Sequence, residues 1–212
     1  MTSRYNYEKD GGAIYRQSFA TVRREADLSR FSPSEAELVI RLIHSCGMVD
    51  VADDVVISAD ALEAGRAALE TGCAIVCDVH MVKQGIIRRN LPRENPVLCK
   101  VRTAAARHKS EVLGTTRSAA GIDCLKGRMG GGIVVTGNAP TALFHLLELL
   151  DRGIMPPALI IGCPVGFVGA VESKEALIEH GQKVPYITVR GRRGGSAMAA
   201  AAVNALCSGL ES

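Results

Sequence analysis

The chain has 212 residues, of which 47% are hydrophobic and only 4% aromatic, and its formal net charge is +3. This length allows one large α/β domain or two small ones, each with a substantial core. The small charge does not indicate nucleic-acid binding, and the sequence has no Trp that could stack on bases.

Targeting signals, membrane spans and metal motifs are not apparent in the sequence. The polar N-terminus, MTSRYNYEKDGG, favours a cytoplasmic protein without a signal or transit peptide. No apolar run is long enough to span a bilayer. The seven cysteines include no CxxC pair and no Cys/His cluster with zinc spacing, so we expect free thiols and no bound metal.

The first predicted helix covers residues 11–28, GGAIYRQSFATVRREADL. Its apolar spacing predicts that Ile14, Phe19 and Val22 face inward. Ser18 lies in the middle of this helix, where a solvated serine is the simplest interpretation.

A second helix is predicted within residues 31–47, FSPSEAELVIRLIHSCG. Ser32 begins a capping-box pattern and Gly47 can end the helix. Arg41 and His44 share a stripe apart from the apolar face, so an imidazole lies beside an arginine at the helix end. The stripe alone favours a histidine that only interacts with the helix dipole.

From residue 58 onward, predicted helices and strands alternate. The strands are short and continuously apolar, which is typical of parallel strands covered by helices on both faces. In chain order the elements are helix 58–72, strand 74–79, short helix 80–86, strand 97–102, a partly helical stretch 116–126, strand 133–137, helix 139–153, strand 158–162, helix 165–179, strand 185–191 and helix 194–209. We predict a three-layer α/β/α fold with a mainly parallel five-stranded sheet, in a single domain over residues 1–212.

Three glycine-containing turns follow predicted strands: GNAPT at 137–141, GCPVGFVG at 162–169 and GRRGGS at 191–196. Ligands of such sheets bind at this carboxyl edge, and each turn can bring backbone N–H groups close to an anion. Nearby side chains could add mobile positive charge: Arg117, Lys174, Arg190, Arg192 and Arg193. No turn has a nucleotide-binding motif. The turns therefore leave open an enzyme for a phosphorylated metabolite, and also glycines that serve turn geometry only.

Nucleophilic catalysis finds little support in the sequence. No GxSxG motif is present, and Cys163 has no identifiable base, although a nearby helix N-terminus could lower its pKa. His80 follows a predicted strand and is expected to lie at the surface. His108, His145 and His180 are expected to be structural or solvated.

Several segments, spread over about residues 11–206, together resemble the precorrin-8X methylmutase family. They are AIYRQSFATVRREADLSRF, RLIHSCG, GTTRSAAGID, VTGNAPTALFHLLELL, GCPVGFVGAVESKEAL and VPYITVRGRRGGSAMAAAAVNAL. The resemblance implies an isomerase of cobalamin biosynthesis that moves a methyl group from C-11 to C-12 of precorrin-8X, a tetrapyrrole, to give hydrogenobyrinate. It also implies no cofactor, and a homodimer with the substrate near the subunit interface.

The same resemblance implies the site residues. The family's histidine falls on His44, which is proposed to protonate a ring nitrogen or to control its tautomer. From chemistry and position we assign substrate binding to Ser18, Arg41, Arg117, Ser118, Asn138, Thr141, Gly166, Lys174, Arg192, Gly195 and Ser196. The sequence leaves open a cobalt-precorrin-8 methylmutase of the anaerobic route and a non-catalytic tetrapyrrole carrier.

Overall fold

A computed structural model of the chain describes residues 5–180 and 184–207. The helices are α1 (Gly11–Glu25), α2 (Pro33–Cys46), α3 (Ala61–Glu70), α4 (His80–Gly85), α5 (Ala104–Leu113), α6 (Arg117–Asp123), α7 (Pro140–Asp151), α8 (Ala170–His180) and α9 (Ser196–Cys207). The strands are β1 (Val55–Ile57), β2 (Ile75–Cys77), β3 (Val97–Leu98), β4 (Ile133–Thr136), β5 (Leu159–Gly162) and β6 (Tyr186–Val189). Short 3₁₀ helices cover Val49–Asp54, Arg88–Asn90 and Lys126–Arg128. The predicted end of the last helix, 208–209, lies outside the described residues.

Within the described residues, six strands form one sheet in the order β1–β6–β5–β4–β2–β3. Its neighbouring strands are parallel except that β1 is antiparallel to β6. The α/β class and the mainly parallel sheet are confirmed, but the prediction of five strands is wrong. The sequence prediction omits β1 because this strand precedes residue 58, where the alternation of predicted helices and strands begins.

Alternate residues of the central strands face two different helix layers. Ile133 and Val135 pack in one core with apolar residues of α1, α2, α3, α4 and α9. Val134 and Ile160 pack in a second core with residues of α6, α7 and α8. This period-2 alternation is the reason that each strand is apolar throughout. It makes the three-layer arrangement and puts α2 and α7 on opposite faces of the sheet.

Helix α2 is fixed at both ends by local sequence. The Ser32 hydroxyl accepts the Glu35 N–H, and the Glu35 carboxylate accepts the Ser32 N–H, which completes a capping box. At the other end, Gly47 adopts φ 72°, the left-handed conformation that ends a helix. The buried face of α2 contacts α9, so the last turn, with His44, lies beside α9.

The chain connections reverse direction between β2 and β4. From β2 the chain moves to β3 on one side; it then crosses to β4 on the other side and continues outward to β5 and β6. In open parallel sheets, such a reversal leaves a crevice beyond the carboxyl ends of the two strands, where ligands bind. The topology therefore predicts a ligand site beside the residues that follow β2 and β4.

A buried carboxylate ties α5, α6 and α7 together. Asp123, at the end of α6, is 7% exposed and accepts a charged hydrogen bond from Lys109 on α5. Its other oxygen lies 3.1 Å from Nε2 of His145 on α7. Burial by itself raises the pKa of Asp123, but the bonds from Lys109 and His145 outweigh burial and hold that pKa below its ordinary value. This network fixes α6, which begins with Arg117.

We expect Asp123→Asn to lower the free energy of unfolding at neutral pH by about 1–3 kcal/mol, because it removes a charged partner from a buried network. Since the folded-state pKa of Asp123 is lowered, its contribution is complete above the unfolded pKa of about 3.9 and is lost as the pH falls through the folded pKa. Urea unfolding of both proteins at several pH values should show the difference closing in acid. The control is Glu111→Gln, which affects an exposed pair with Arg107 on α5. A difference that widens in acid would contradict this assignment.

Candidate active site

His44 is held by one hydrogen bond and two aromatic rings. Its Nδ1 lies 2.7 Å from Oγ of Ser18 on α1, so Ser18 is not the solvated serine that the sequence suggests. The centroid of the imidazole lies 4.9 Å from that of Tyr15 and 5.2 Å from that of Phe19. Ser18 engages Nδ1 only, so the ring orientation is fixed while Nε2 is the nitrogen that can face a ligand.

Two cavities meet at His44. One, of about 380 Å³, is lined by α1 side chains that include Gln17 and Ser18. The other, of about 330 Å³, lies between α2 and the first turns of α9 and includes Arg41. The guanidinium carbon of Arg41 is 5.3 Å from the ring centroid of Phe19. The structure therefore brings together three predicted residues, Ser18, Arg41 and His44.

Tyr15 is a site residue that the sequence prediction omits. It is 47% exposed, contacts His44 and lines the cavity beside α9. Tyr15, Ser18 and Phe19 have the spacing i, i+3 and i+4, which places them on one helix face, and this spacing is the signal that could have identified it. Ile14, which was expected to face inward, is 44% exposed and lines the first cavity.

A second group of predicted residues lies on the opposite face of the sheet. Arg117 and Ser118 begin α6, and Thr141 lies in the first turn of α7. Both helices belong to the layer opposite α2. Thr116, which caps α6, places its Oγ1 2.8 Å from that of Thr141 and so joins the two helix starts. The predicted residues thus form two groups that flank the carboxyl edge of the sheet.

Buried Asp78 fills the crevice between β2 and β4. It follows β2 and is 1% exposed. Its Oδ1 accepts the Gly137 N–H at 3.1 Å, and its Oδ2 accepts those of Asn138 and Ala139, both at 2.9 Å. Burial raises the pKa of Asp78, against the opposing effect of these three bonds. The prediction that this turn presents its N–H groups to a ligand is wrong, because the protein's own carboxylate accepts them; the Asn138 residue remains exposed.

The other two glycine-rich turns are hydrogen-bonded to each other. The Gly166 N–H donates to the Arg192 carbonyl at 3.2 Å, and the Gly195 N–H donates to the Cys163 carbonyl at 2.8 Å. Ser196 follows directly as the first residue of α9. Here too, the predicted donors serve the protein's own backbone, so these turns act as a joined support for their side chains.

Lys174 was expected to supply mobile positive charge, and this prediction is wrong. Its side chain is fully buried, and Nζ donates to the Arg193 carbonyl at 2.7 Å. Burial lowers the pKa of Lys174. The ammonium is bonded to the turn before α9 from inside the protein and does not face a ligand.

The two arginines beside this turn are also paired within the protein. Arg193 forms ion pairs with Asp50 and Asp54, and Arg190 forms one with Glu175. Arg192 is exposed, and its guanidinium carbon lies 5.4 Å from the ring centroid of Phe167. Of the three arginines of this turn, Arg192 is therefore the best placed to meet an anionic ligand.

Two expectations about the turn after β5 are corrected by its backbone. Helix α8 begins at Ala170, not at residue 165, because Gly166 and Gly169 have φ values of 144° and 76° that a right-handed helix excludes. The Cys163 thiol is fully buried, and burial raises its pKa to about 12, against a small opposing effect of Lys174. A reactive thiolate at this position is thereby excluded.

The fold and the site define an α/β enzyme that holds one oriented imidazole, with exposed arginines, at the carboxyl edge of its sheet. Residues 13–209 match the family model described as precorrin-8X methylmutase. The chain belongs to the precorrin-8X methylmutase family, and methylmutases are isomerases.

Named relatives match almost the full chain. The precorrin-8X methylmutase of Pseudomonas aeruginosa is 55% identical over 97% of this chain and 99% of its own length. The cobalt-precorrin-8 methylmutase of Methanothermobacter thermautotrophicus is 38% identical over 92% of each chain. A solved precorrin-8x methyl mutase from Thermus thermophilus, 37% identical, superposes with a TM-score of 0.84 over 93% of this chain and 95% of its own.

The described residues contain neither a metal-binding cluster nor a membrane-spanning helix. Among residues 5–180 and 184–207, no group of three or more His, Cys, Asp or Glu side chains has an arrangement that could hold a metal ion. Over the same residues, none of the helices has the length and apolar character needed to cross a membrane.

We expect Asp78→Asn to lower the free energy of unfolding by about 1.5–3 kcal/mol, because an amide nitrogen would face N–H groups that now donate to a carboxylate. Thermal or urea unfolding at neutral pH measures the change. The matched control is Asp60→Asn at the start of α3, where the aspartate is exposed and makes no capping bond. Equal stability of the two variants would contradict the role assigned to Asp78.

Proposed function

We propose that the protein is a precorrin-8X methylmutase that moves a methyl group from C-11 to C-12 of precorrin-8X to give hydrogenobyrinate in cobalamin biosynthesis. The observation that carries the proposal is His44, held by Ser18 between two cavities in a chain of this family. A 1,5-sigmatropic shift conserves every atom of the substrate and forms no bond to the enzyme. Catalysis then requires that the macrocycle be oriented and its protonation state controlled.

His44 is suited to control that protonation state. An imidazole exchanges protons near neutral pH, so it can donate to a ring nitrogen and recover the proton within one turnover. The hydrogen bond between Ser18 and His44 and the contacts with Tyr15 and Phe19 restrict the ring to one orientation. In this mechanism Nε2 carries the proton to the macrocycle.

The carboxylates of the substrate are bound by cations and polar groups on both faces of the sheet edge. Arg41 lies on the His44 side, Arg117 begins α6 on the other side, and Arg192 lies in the turn before α9. The other proposed contacts are the side chains of Ser18, Ser118, Asn138, Thr141 and Ser196. Gly166 and Gly195, whose N–H groups are bonded within the protein, would let the ligand approach a backbone that carries no side chain. Guanidinium groups are the natural partners of carboxylates because they form paired, charge-assisted hydrogen bonds.

We also propose that the chain works as a single-domain subunit of a cytoplasmic homodimer. Exposed apolar side chains beside both groups of site residues support this assembly: Ile14 and Tyr15 on the His44 side, and Val112 and Leu113 just before α6. Apolar side chains clustered beside a site indicate a surface that another molecule covers. A second copy that packed on them would enclose the substrate.

The metal-free substrate is favoured over cobalt-precorrin-8. Relatives named precorrin-8X methylmutase are 55% and 51% identical to this chain. Those named cobalt-precorrin-8 methylmutase are 38% and 34% identical. The greater similarity to the first group supports precorrin-8X as the substrate.

Single-turnover conversion tests the function. Purified protein in excess over precorrin-8X should convert all of the substrate to hydrogenobyrinate, followed by the visible absorption spectrum and product mass. Cobalt-precorrin-8 should be converted more slowly under the same conditions. Binding without conversion would contradict an enzyme and favour a tetrapyrrole carrier. Faster conversion of the cobalt form would contradict the substrate proposed here.

We expect His44→Ala to reduce kcat by about 100- to 10,000-fold, the usual contribution of general acid–base catalysis. The Kd for hydrogenobyrinate should change little, because the arginines that bind carboxylates are untouched. His108→Ala, at an exposed position of α5, is the control and should retain full activity. If His44→Ala weakened product binding as much as it slowed turnover, His44 would be a binding residue and not an acid.

A further inference from the structure

The turn between β5 and α8 exposes an apolar tip. Phe167 is 86% exposed and Val168 is 88% exposed, more than any other large apolar residue among those described, and neighbouring Val165 is 42% exposed. Removal of apolar surface from water is favourable by about 25 cal/mol per Å². Adjacent apolar side chains at the edge of a site therefore indicate a surface that becomes covered during function.

The backbone on either side of this tip is tied to neighbouring elements. Gly166 and Gly169, on either side of Phe167 and Val168, adopt left-handed φ values of 144° and 76° that turn the chain outward. The Gly166 N–H is bonded to the Arg192 carbonyl, and Gly169 packs closely on Pro140. The two side chains thus project from a fixed base, so a ligand that covers them would order little additional backbone.

The tip lies between the two groups of site residues. On one side Val165 adjoins Gly195, directly before the start of α9, along which the His44 cavity extends. On the other side Gly169 adjoins Pro140, at the start of α7, where Thr141 meets Thr116. A ligand that reached from the His44 face of the sheet to the Arg117 face would cross the edge at this tip.

The chemistry at the tip is an aromatic ring with a cation beside it. The guanidinium of exposed Arg192 lies 5.4 Å from the ring centroid of Phe167. This pair matches a flat macrocycle whose faces are apolar and whose rim carries carboxylates. We propose that Phe167 and Val168 cover one apolar face of the bound tetrapyrrole, while Arg192 pairs with a carboxylate of its rim. The identity of this ligand rests on the proposed function.

The lack of Trp in the chain permits a direct test. Phe167→Trp introduces a single fluorescent reporter at the tip, and Met155→Trp introduces one at a 74% exposed position before β5, at the other end of the strands. Acrylamide quenching is measured from fluorescence lifetimes, with and without saturating hydrogenobyrinate. Because a bound ligand covers most of the surface of its site, the bimolecular constant for acrylamide quenching of Phe167→Trp should fall about threefold or more. That of Met155→Trp should be unchanged.

Absorption titration in the same samples separates this inference from the proposed function. If hydrogenobyrinate binds and the tryptophan of Phe167→Trp stays accessible to acrylamide, the proposed contact between the tip and the tetrapyrrole is wrong. The proposed function is not contradicted by that result. If wild-type protein fails to bind hydrogenobyrinate, the proposed function is wrong. If Phe167→Trp is already protected without ligand and becomes accessible on dilution, the tip is a subunit contact, which also overturns the inference.

A second variant tests the same contact without a reporter. Phe167→Ala should raise the Kd for hydrogenobyrinate about tenfold, because a buried phenyl group is lost from the complex. An unchanged Kd would overturn the proposed contact.

Discussion

The buried carboxylate of Asp78 helps to position the helices on one face of this sheet relative to those on the other. Asp78 accepts three backbone N–H groups where the chain passes from β4 into α7. A Cβ atom at Gly137, the first donor, would lie within 2.6–2.9 Å of Val82, Ala199 and Ser196, so the turn also abuts the start of α9. The bond therefore sets the first turn of α7 on one face relative to that of α9 on the other. The proposed substrate contacts at the starts of these two helices, Thr141 and Ser196, depend on this relation.

Charge at the site is divided between groups that build the turns and groups that remain available to a ligand. The ammonium of Lys174 and the guanidinium of Arg193 are engaged with a backbone carbonyl and two carboxylates, and they make the turn before α9 stiff. Arg192, in the same turn, and Arg117, at the start of α6, are exposed to solvent. This division suits the proposed substrate, whose many carboxylates must be bound and oriented and which offers no group for a nucleophile to attack.

The sequence predicts the elements well and their long-range partners poorly. The spacing of Leu38, Val39, Leu42 and Ile43, with its cap and final glycine, is enough to place α2 and His44, because helix periodicity and capping are local properties. The three N–H partners of Asp78 are 59 to 61 residues away, and the burial of Lys174 depends on how α8 meets the turn before α9. A buried lysine or aspartate has the same local sequence signal as an exposed one, so the sequence does not show which of them is buried. Strand β1 is missed for another reason, since it is an antiparallel edge strand that precedes the alternating helices and strands.

The backbone hydrogen bonds that join the turn after β5 to the turn after β6 restrict how the lengths of these two turns can change during evolution. Surface connections commonly accept insertions, because their ends are the only constrained points. In this protein a residue inserted between Cys163 and Gly166, or between Arg192 and Gly195, would disturb the pairing of the Gly166–Arg192 and Gly195–Cys163 hydrogen bonds. The length of one turn is therefore tied to the length of the other. We therefore expect related sequences to differ in the exposed side chains of these two turns, while the path of the main chain stays the same.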